Sequence, residues 1–342
     1  MSKKILAAAL GAAVLGMGTQ SAMAGATLDA VKAKGFVQCG VNTGLAGFGS
    51  QDSAGNWTGF DIDYCTAVAA AVFGDASKVK YTPLSAKDRF PALQSGEVDL
   101  LARNTTWTIS RDTQLGFNFR GVNYYDGQGF MVRKALNVKS ALELSGAAVC
   151  VQTGTTTELN LADYFKANKL EYKPVVFEKQ EEVDAAYQAG RCDVYTTDQS
   201  GLYAVRLGLA KPDEHVILPE IISKEPLAPA VRQGDDQWFD IVSFTHYALV
   251  TAEESGITQA NVDEMVKSEN PDIKRFLGEE KDSTIGTDLG LDNKWAYNII
   301  KGVGNYGEVF ERNVGESTPL KISRGLNALW SKGGLQYAPP IR

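Results

Sequence analysis

The chain has 342 residues and a formal net charge of −7 at neutral pH, with 41 acidic and 34 basic residues. Nucleic acids and anionic membranes call for basic patches on their partners, so neither is expected to bind this acidic chain. The length exceeds one comfortable hydrophobic core, which favours two lobes.

The first 24 residues have the pattern of an export signal. Lys3 and Lys4 precede an apolar run over 5–17, and Ala22-Met23-Ala24 offers a cleavage site after Ala24. Cleavage would remove two lysines and no acid, changing the net charge to −9. The apolar run is too short for a spanning helix, although a retained membrane anchor is the alternative. No direct membrane insertion is expected of the mature chain.

Residues 36–102 predict a first α/β unit. Strands are expected over 36–41, 78–83 and 98–102, and a helix follows a strand end within 58–73. An amphipathic helix ends before Gly96, which suits a left-handed helix cap. The last strand runs directly into the polar sequence Arg103-Asn104-Thr105-Thr106.

A second unit follows at an offset of 94 residues. The pattern Ala-x-Gln-x-Gly-x-x-Asp over 92–99 recurs over 186–193, and the second unit ends in Thr196-Thr197-Asp198. Strands are predicted over 147–151, 172–177 and 192–196, with helices over 155–166 and 180–189. Both units read β-α-β-α-β, so the predicted fold class is α/β, with two doubly wound Rossmann-like lobes and a cleft between them. Ligands bind beyond the carboxyl ends of such strands, and Asn104 and Asp198 are equivalent positions there.

The segment from Gln152 to Leu159 follows a strand and opens a helix. Free backbone N–H groups and threonine hydroxyls there predict an anion site, supported by the helix dipole. Thr155 and Glu158 also fit a capping box, so helix capping alone is the alternative. The segment lacks the GK[ST] ending of a phosphate-binding loop.

All four cysteines lie in the mature chain, at positions 39, 65, 150 and 192. An even count in an exported protein favours two disulfides, and three pairings are possible. No C-x-x-C occurs and both histidines are distant in sequence, so no metal site and no cofactor are expected.

The motifs together resemble the periplasmic solute-binding proteins for polar amino acids, family 3, and within them the branch that binds L-amino acids generally. The motifs that carry the resemblance are Gly59-Phe-Asp-Ile-Asp63, Phe90-Pro-Ala-Leu-Gln-Ser-Gly-Glu-Val-Asp99, Thr106-x-Thr-x-x-Arg111, Gly154-Thr-Thr156, Gly190-Arg-x-Asp193 and Ala230-Val-Arg-x-Gly234. The resemblance implies a type II periplasmic binding protein with two hinge crossings, within 121–132 and 226–231. Lobe 1 would comprise 25–128 and 228–342, and lobe 2 would comprise 129–227.

The resemblance also assigns ligand contacts. Arg111 would clamp the ligand α-carboxylate, with help from the backbone and hydroxyl of Thr106 and from Thr156. Asn104 would receive the α-ammonium, and Asp198 would pair with it. Gln152 belongs to the predicted anion site.

Two departures from the family pattern affect the side-chain pocket. Leu45 stands where the family usually has an aromatic ring, and Ala86 lies where a tryptophan is customary. Both changes predict a wider pocket and a broad substrate range, with glutamate, glutamine and aspartate foremost. Arg103 could meet an acidic ligand side chain or be held by nearby carboxylates of the protein.

Within the implied topology, the pairings Cys39–Cys65 and Cys150–Cys192 place one disulfide in each lobe. Residues after about 257 form a C-terminal extension expected to wrap onto lobe 1. Helices are predicted there over 293–305 and 320–332, with Trp295, Tyr297, Phe310 and Trp330 as core anchors.

The resemblance implies a monomeric periplasmic protein that captures an L-amino acid and delivers it to a membrane-embedded ABC permease, without catalysis. An enzyme on the same fold, such as a prephenate or arogenate dehydratase, is the alternative. A sensor domain that feeds a membrane receptor would share the same pocket.

Overall fold

The computed structural model describes residues 25–342. The predicted export signal and its cleavage site lie outside the described residues. Among the helices of residues 25–342, none combines the length and apolarity needed to cross a membrane.

The strands of the described chain form two five-stranded sheets and two short ribbons. Their bounds are β1 (Val37–Asn42), β2 (Ser50–Gln51), β3 (Trp57–Thr58), β4 (Val79–Leu84), β5 (Leu100–Leu101), β6 (Phe117–Phe119), β7 (Tyr124–Asp126), β8 (Gln128–Arg133), β9 (Ala148–Gln152), β10 (Lys173–Phe177), β11 (Val194–Asp198), β12 (His215–Ile217), β13 (Glu225–Leu227) and β14 (Ala230–Arg232).

The α-helices cover these sheets and continue into the C-terminal extension. Their bounds are α1 (Ala26–Lys34), α2 (Phe60–Phe73), α3 (Arg89–Ser95), α4 (Ile109–Thr113), α5 (Thr156–Ala167), α6 (Gln180–Gln188), α7 (Gln199–Gly208), α8 (Asp236–Glu254), α9 (Val262–Met265), α10 (Pro271–Phe276), α11 (Ile285–Asp288), α12 (Trp295–Val303) and α13 (Tyr306–Asn313).

The sheet of the first lobe has the strand order β4-β1-β5-β14-β6. Strand β1 is parallel to both β4 and β5, whereas β14 runs antiparallel to β5. Because β1, β4 and β5 are parallel, their carboxyl ends share one edge of the sheet. The loops after Asn42, Leu84 and Leu101 therefore meet at that edge.

The sheet of the second lobe repeats this arrangement in the order β10-β9-β11-β8-β12. Strand β9 is parallel to β10 and β11, and β8 is antiparallel to β11. The predicted fold class, two doubly wound α/β lobes, is confirmed. The duplicated helix–glycine–strand unit is confirmed as well, since Gly96 and Gly190 have φ values of 81° and 77° in the left-handed region.

An antiparallel ribbon of β7 and β13 connects the two sheets. Its register places Asp126 opposite Glu225 and Tyr124 opposite Leu227. Only Gly127 separates β7 from strand β8 of the second sheet. Strand β14 of the first sheet follows shortly after β13. We propose that this ribbon is the hinge and that residues 129–227 form the second lobe.

Both implied disulfides are present. Cys39–Cys65 joins β1 to α2, and Cys150–Cys192 joins β9 to the residues before β11. All four cysteines are buried. Neither bridge joins one five-stranded sheet to the other: Cys39 lies in β1 of the first sheet and Cys150 in β9 of the second.

The C-terminal extension packs on the first lobe through α12, which contacts α2 and α8. Trp295 and Phe310 are buried, and Tyr297 is partly buried against the same core. Two predictions are wrong here. Residues 320–332 contain only the 3₁₀ turns Gly325–Asn327 and Trp330–Lys332, because the backbone has positive φ at Lys321 and Gly325, which no α-helix allows. Trp330 is 55% exposed, because its indole N–H bonds to Glu254 at the surface rather than entering the core.

Candidate ligand-binding cleft

A polar cleft lies between the carboxyl ends of the two sheets, where the strand topology predicts it. Seven of the nine predicted ligand-binding residues line it, while Arg111 and Ala86 do not. The lining residues are Leu45, Arg89, Arg103, Asn104, Thr106, Gln152, Thr155, Thr156, Thr157, Gln180, Thr197, Asp198, Ser200 and Gly201. Residues from both lobes therefore face one space.

Ala86 is buried behind the cleft wall. A Cβ added to Gly154 would come within 3.6 Å of the Ala86 carbonyl carbon, so these two backbone segments approach closely across the lobes. The Ala86 backbone thus lies at the contact between the lobes, and Gly154, which has no side chain, leaves room for it.

Arg111 lies in α4, directly behind the cleft. Its Nη1 donates to the Thr106 carbonyl at 2.7 Å, and its guanidinium lies over the Phe90 ring, 5.1 Å from the centroid. Burial lowers the pKa of Arg111 to about 10, while the charges of Glu225 and Asp198 act in the opposite direction. The side chain therefore remains a cation at neutral pH, with guanidinium N–H groups to spare.

The helix α5 points its N-terminus at the same region. Its N-cap Thr155 accepts from the Glu158 N–H at 3.2 Å, and the Glu158 carboxylate accepts from Thr153 Oγ1 and the Gly154 N–H. Thr155 therefore caps the helix, but the Glu158 carboxylate bonds to Thr153 and Gly154 rather than to the Thr155 N–H, so the predicted capping box is only half formed. The N–H groups of Thr156 and Thr157 have no intrahelical acceptor, so they remain available to an anion.

Glu225 of the hinge ribbon occupies the space between Thr106 and Thr156. Its Oε2 accepts from both threonine hydroxyls, at 2.6 and 2.8 Å, and its Oε1 accepts from Asn160 and Ser223. The Glu225 side chain is buried, with 1% exposure. A hydroxyl has one proton, so these two threonines cannot also donate it to a ligand carboxylate. In this geometry Thr106 and Thr156 can contact a ligand carboxylate only through their backbone N–H groups.

Asp198 ends β11 on the opposite lobe. Its carboxylate is buried, with 7% exposure, and makes no hydrogen bond or salt bridge to any side chain within residues 25–342. Burial raises the pKa of Asp198 well above its ordinary value, as do the nearby Asp126 and Glu225, while Arg89 and Arg111 oppose the shift. A buried carboxyl without a direct cation is complementary to a ligand ammonium.

Asn104 occupies a left-handed turn with φ 36°, a conformation that asparagine tolerates. Asp61 holds this turn, because its Oδ2 accepts from the Asn104 N–H at 2.8 Å. The Asn104 side-chain oxygen accepts from Asn42 at 3.0 Å. That oxygen keeps a second lone pair for a ligand donor.

Two further arginines line the cleft with unsatisfied N–H groups. Arg103 donates from Nε to the Leu84 carbonyl at 2.9 Å, but its buried Nη2 has no partner among the described residues. No carboxylate lies within salt-bridge distance of Arg103 in residues 25–342, although Asp61 is close enough to favour its charge. Burial lowers the pKa of Arg103 to about 10.

Arg89 also lines the cleft, although it was not predicted from the sequence. It is buried, its Nε has no partner, and its Nη1 makes one long contact of 3.3 Å to Thr105 Oγ1. Burial lowers the pKa of Arg89 below its ordinary value, and the neighbouring Arg111 and Arg103 add to this. A charged residue directly before the Phe90-Pro91 motif was the available signal. Gln180, Thr197, Ser200 and Gly201 were missed as well, and all lie at or near the starts of α6 and α7.

Comparisons with known proteins identify the family and the fold. The model for "Bacterial extracellular solute-binding proteins, family 3" matches residues 37–276. The chain is 76% identical over its whole length to the general L-amino acid-binding periplasmic protein AapJ of Rhizobium johnstonii, and both chains are fully covered. It is 56% identical, again over both full chains, to the glutamate/glutamine/aspartate/asparagine-binding protein BztA of Rhodobacter capsulatus. A solved periplasmic binding protein from Brucella ovis with glutathione bound is 70% identical, with a TM-score of 0.91 over 92% of this chain and 99% of that one.

Proposed function

The chain belongs to the bacterial extracellular solute-binding proteins, family 3, and from this premise we propose that it is the substrate-binding component of an ABC amino-acid uptake system in the periplasm. It captures L-amino acids over a broad range, including glutamate, glutamine and aspartate. It then presents them to a membrane-embedded ABC permease. The mature protein would be a monomer that converts nothing.

One observation carries this proposal. A buried guanidinium, Arg111, donates to the carbonyl of the cleft residue Thr106 on the first lobe, and a buried carboxyl without a direct cation, Asp198, lines the cleft from the second. An amino-acid zwitterion carries the two complementary charges. Its α-carboxylate would bind Arg111 and the N-terminal N–H groups of α5, and its α-ammonium would bind Asp198 and Asn104.

Binding in this way favours closure of the lobes. Each end of the zwitterion would contact residues of both lobes, so the full set of contacts forms only when the lobes approach. Thr106 and Thr156 already share the Glu225 carboxylate across the hinge, which fixes the relative position of the two anion-binding segments.

The breadth of the range rests on the side-chain end of the cleft. Leu45, a flexible aliphatic residue, replaces a rigid aromatic wall there, and Arg89 and Arg103 present unsatisfied N–H groups. A second carboxylate, as in glutamate or aspartate, would satisfy these groups directly. Neutral side chains can be accommodated because neither arginine is locked into an ion pair with the protein.

The alternative, an enzyme on this fold, has less support. Neither histidine lines the cleft: His215 bonds to the Tyr187 hydroxyl and His246 to Gln336. Asp198 is the one acidic residue among the described residues that line the cleft, and it is assigned to an ammonium rather than to proton transfer. The relatives compared above are named as binding proteins.

Calorimetric titration of the ligand-stripped mature protein with the twenty L-amino acids tests the proposed function. We expect binding of several amino acids, with glutamate, glutamine and aspartate among the tightest. Failure of all twenty to bind would refute the function. Tight binding of a single amino acid would refute the broad range while leaving the transport role intact.

A further inference from the structure

A second cavity adjoins the ligand cleft, and we call it the annex. Leu45 and Gln180 line both spaces, so these two side chains stand between the cleft and the annex. The annex lies between the loop of Gly44 and Ala46 on the first lobe and the helices α6 and α7 on the second. A ligand side chain that passes between Leu45 and Gln180 would therefore enter the annex.

One face of α6 lines the annex. Gln180, Asp184 and Gln188 follow each other at intervals of four residues, which places them on one helix face. Four residues of α-helix rise about 6 Å. Gln180 contacts the cleft itself, so the Asp184 side chain lies about one helical turn beyond the cleft.

The opposite side of the annex is apolar. Ala204, Val205 and Leu209 of the α7 region contribute to it, and Ala204 packs in the same hydrophobic cluster as Leu45. An aliphatic chain that leaves the cleft beside Leu45 would therefore pass over apolar side chains before it reaches Asp184.

Asp184 is a partly buried carboxylate without a cation. Its Oδ1 accepts from the Tyr195 hydroxyl at 2.8 Å, and its other oxygen has no hydrogen-bond partner among the described residues. No lysine, arginine or histidine of residues 25–342 forms a salt bridge with it. Burial raises the pKa of Asp184 to about 6, the Tyr195 bond opposes this, and Glu181 adds to it. The group is thus ionised at neutral pH and lacks a positive partner.

We propose that the annex is the subsite for amino acids with long cationic side chains, such as lysine and arginine, and that Asp184 pairs with the distal ammonium or guanidinium. This inference rests on the proposed function, because the α-carboxylate and α-ammonium would be held in the cleft as described above. The four methylene groups of lysine, or the three methylene groups and guanidinium of arginine, are long enough to cover the rise of about 6 Å from Gln180 to Asp184. The protein would then meet acidic side chains with Arg89 and Arg103, and basic side chains with Asp184.

The test compares wild type with Asp184→Asn, which keeps an acceptor for Tyr195 but removes the charge. The ligands for calorimetry are L-lysine, its uncharged counterpart L-norleucine, L-arginine and L-glutamine. We expect Asp184→Asn to weaken lysine and arginine at least tenfold, to leave norleucine and glutamine within twofold, and to abolish any preference for lysine over norleucine. The matched control is Asp163→Asn, an exposed aspartate of α5 outside both cavities, which should change none of these affinities.

Several results would overturn the annex and spare the proposed function. These are unchanged lysine and arginine binding in Asp184→Asn, equal weakening of all four ligands, and wild type that binds glutamine but neither basic amino acid. Absence of binding by every ligand in wild type would instead refute the proposed function itself.

Discussion

At the scale of single residues, the cleft holds an excess of buried guanidinium groups with incomplete hydrogen bonding. Arg89, Arg103 and Arg111 are all buried, and two of them carry N–H groups without a partner among the described residues. A buried N–H group without a hydrogen-bond partner destabilises the folded protein, so it lowers the free energy of unfolding. That cost is offset when a ligand supplies carboxylate oxygens, so the arginines bias the site towards anionic groups.

Replacing Arg111 with alanine should weaken every amino-acid ligand. Truncation of one partner in a buried charged contact costs about 2–5 kcal/mol of binding free energy, and the α-carboxylate is common to all ligands. Calorimetry with glutamate, glutamine and leucine measures the loss. Arg120→Ala, which removes an exposed ion pair with Asp240, is the matched control. Normal binding by Arg111→Ala would show that the carboxylate is held elsewhere.

Replacing Arg89 with methionine should act selectively. Methionine fills similar space without charge, so ligands with an acidic side chain lose a hydrogen bond to a charged group, about 1.5–3 kcal/mol. Glutamine and leucine should lose much less. The ratio of glutamate to glutamine affinity, measured by calorimetry in wild type and variant, is the readout. An unchanged ratio would place Arg89 outside the side-chain subsite.

Asp198 predicts a pH dependence of binding. Burial raises the pKa of Asp198, so the carboxyl of the free cleft takes up a proton at a higher pH than an exposed aspartate does. The ligand ammonium prefers the ionised form, and binding must then release a proton. Affinity should therefore fall as the pH drops through the raised pKa, and be restored as the pH rises.

Titration with L-glutamine, whose side chain does not ionise, isolates this effect between pH 4 and pH 7. Calorimetry in buffers of different ionisation enthalpy should detect the released proton. Asp198→Asn should bind more weakly and lose most of the pH dependence. If the slope persists in Asp198→Asn, another group is responsible, and Asp126, whose pKa burial raises to about 6, would be the next to test.

At the scale of elements, the C-terminal extension is tied to the hinge. The Asn327 side chain accepts from the Tyr125 N–H at 2.7 Å and donates to the Tyr125 carbonyl at 3.1 Å, so it pairs with β7 much as a strand would. Gln336 donates to the Val122 carbonyl, and the Tyr306 hydroxyl to the Asn123 carbonyl. The extension therefore stabilises the conformation of the first hinge crossing.

Asn327→Ala should lower the free energy of unfolding by about 1–3 kcal/mol, because it leaves backbone groups of Tyr125 without partners. Asn327 does not line the cleft, so any change in affinity should be the same factor for glutamate, glutamine and leucine. Chemical denaturation and calorimetry measure the two effects. Asn298→Ala is the control, since the Asn298 side chain makes no hydrogen bond within residues 25–342. Ligand-dependent changes would contradict a role confined to the hinge.

At the scale of the whole molecule, local repetition predicted the architecture well. The 94-residue offset identified two equivalent α/β units, and the strands and glycine caps of both were located within one or two residues for most elements. These signals are local: a run of apolar residues predicts a strand, and a glycine after a helix predicts its left-handed cap, without any information on distant contacts. The 94-residue offset also paired Asn104 with Asp198, and both residues line the cleft.

Features that depend on distant contacts were not predicted. The role of Glu225 arises because the hinge ribbon brings it to threonines 119 and 69 residues away. Arg89 is a cleft residue only because α3 begins at the cleft edge, and Trp330 is exposed because its indole N–H bonds to the distant Glu254 at the surface. These pairings are tertiary, and no spacing in the sequence encodes them.

The central claim is that one zwitterion bridges the two lobes. A crystal structure of the mature protein with L-glutamate tests it directly. We predict the α-carboxylate within hydrogen-bond distance of the Arg111 guanidinium, the α-ammonium within that of Asp198, and the γ-carboxylate beside Arg89 and Arg103. Glutamate bound outside the cleft, or bound with its ammonium remote from Asp198, would contradict the account.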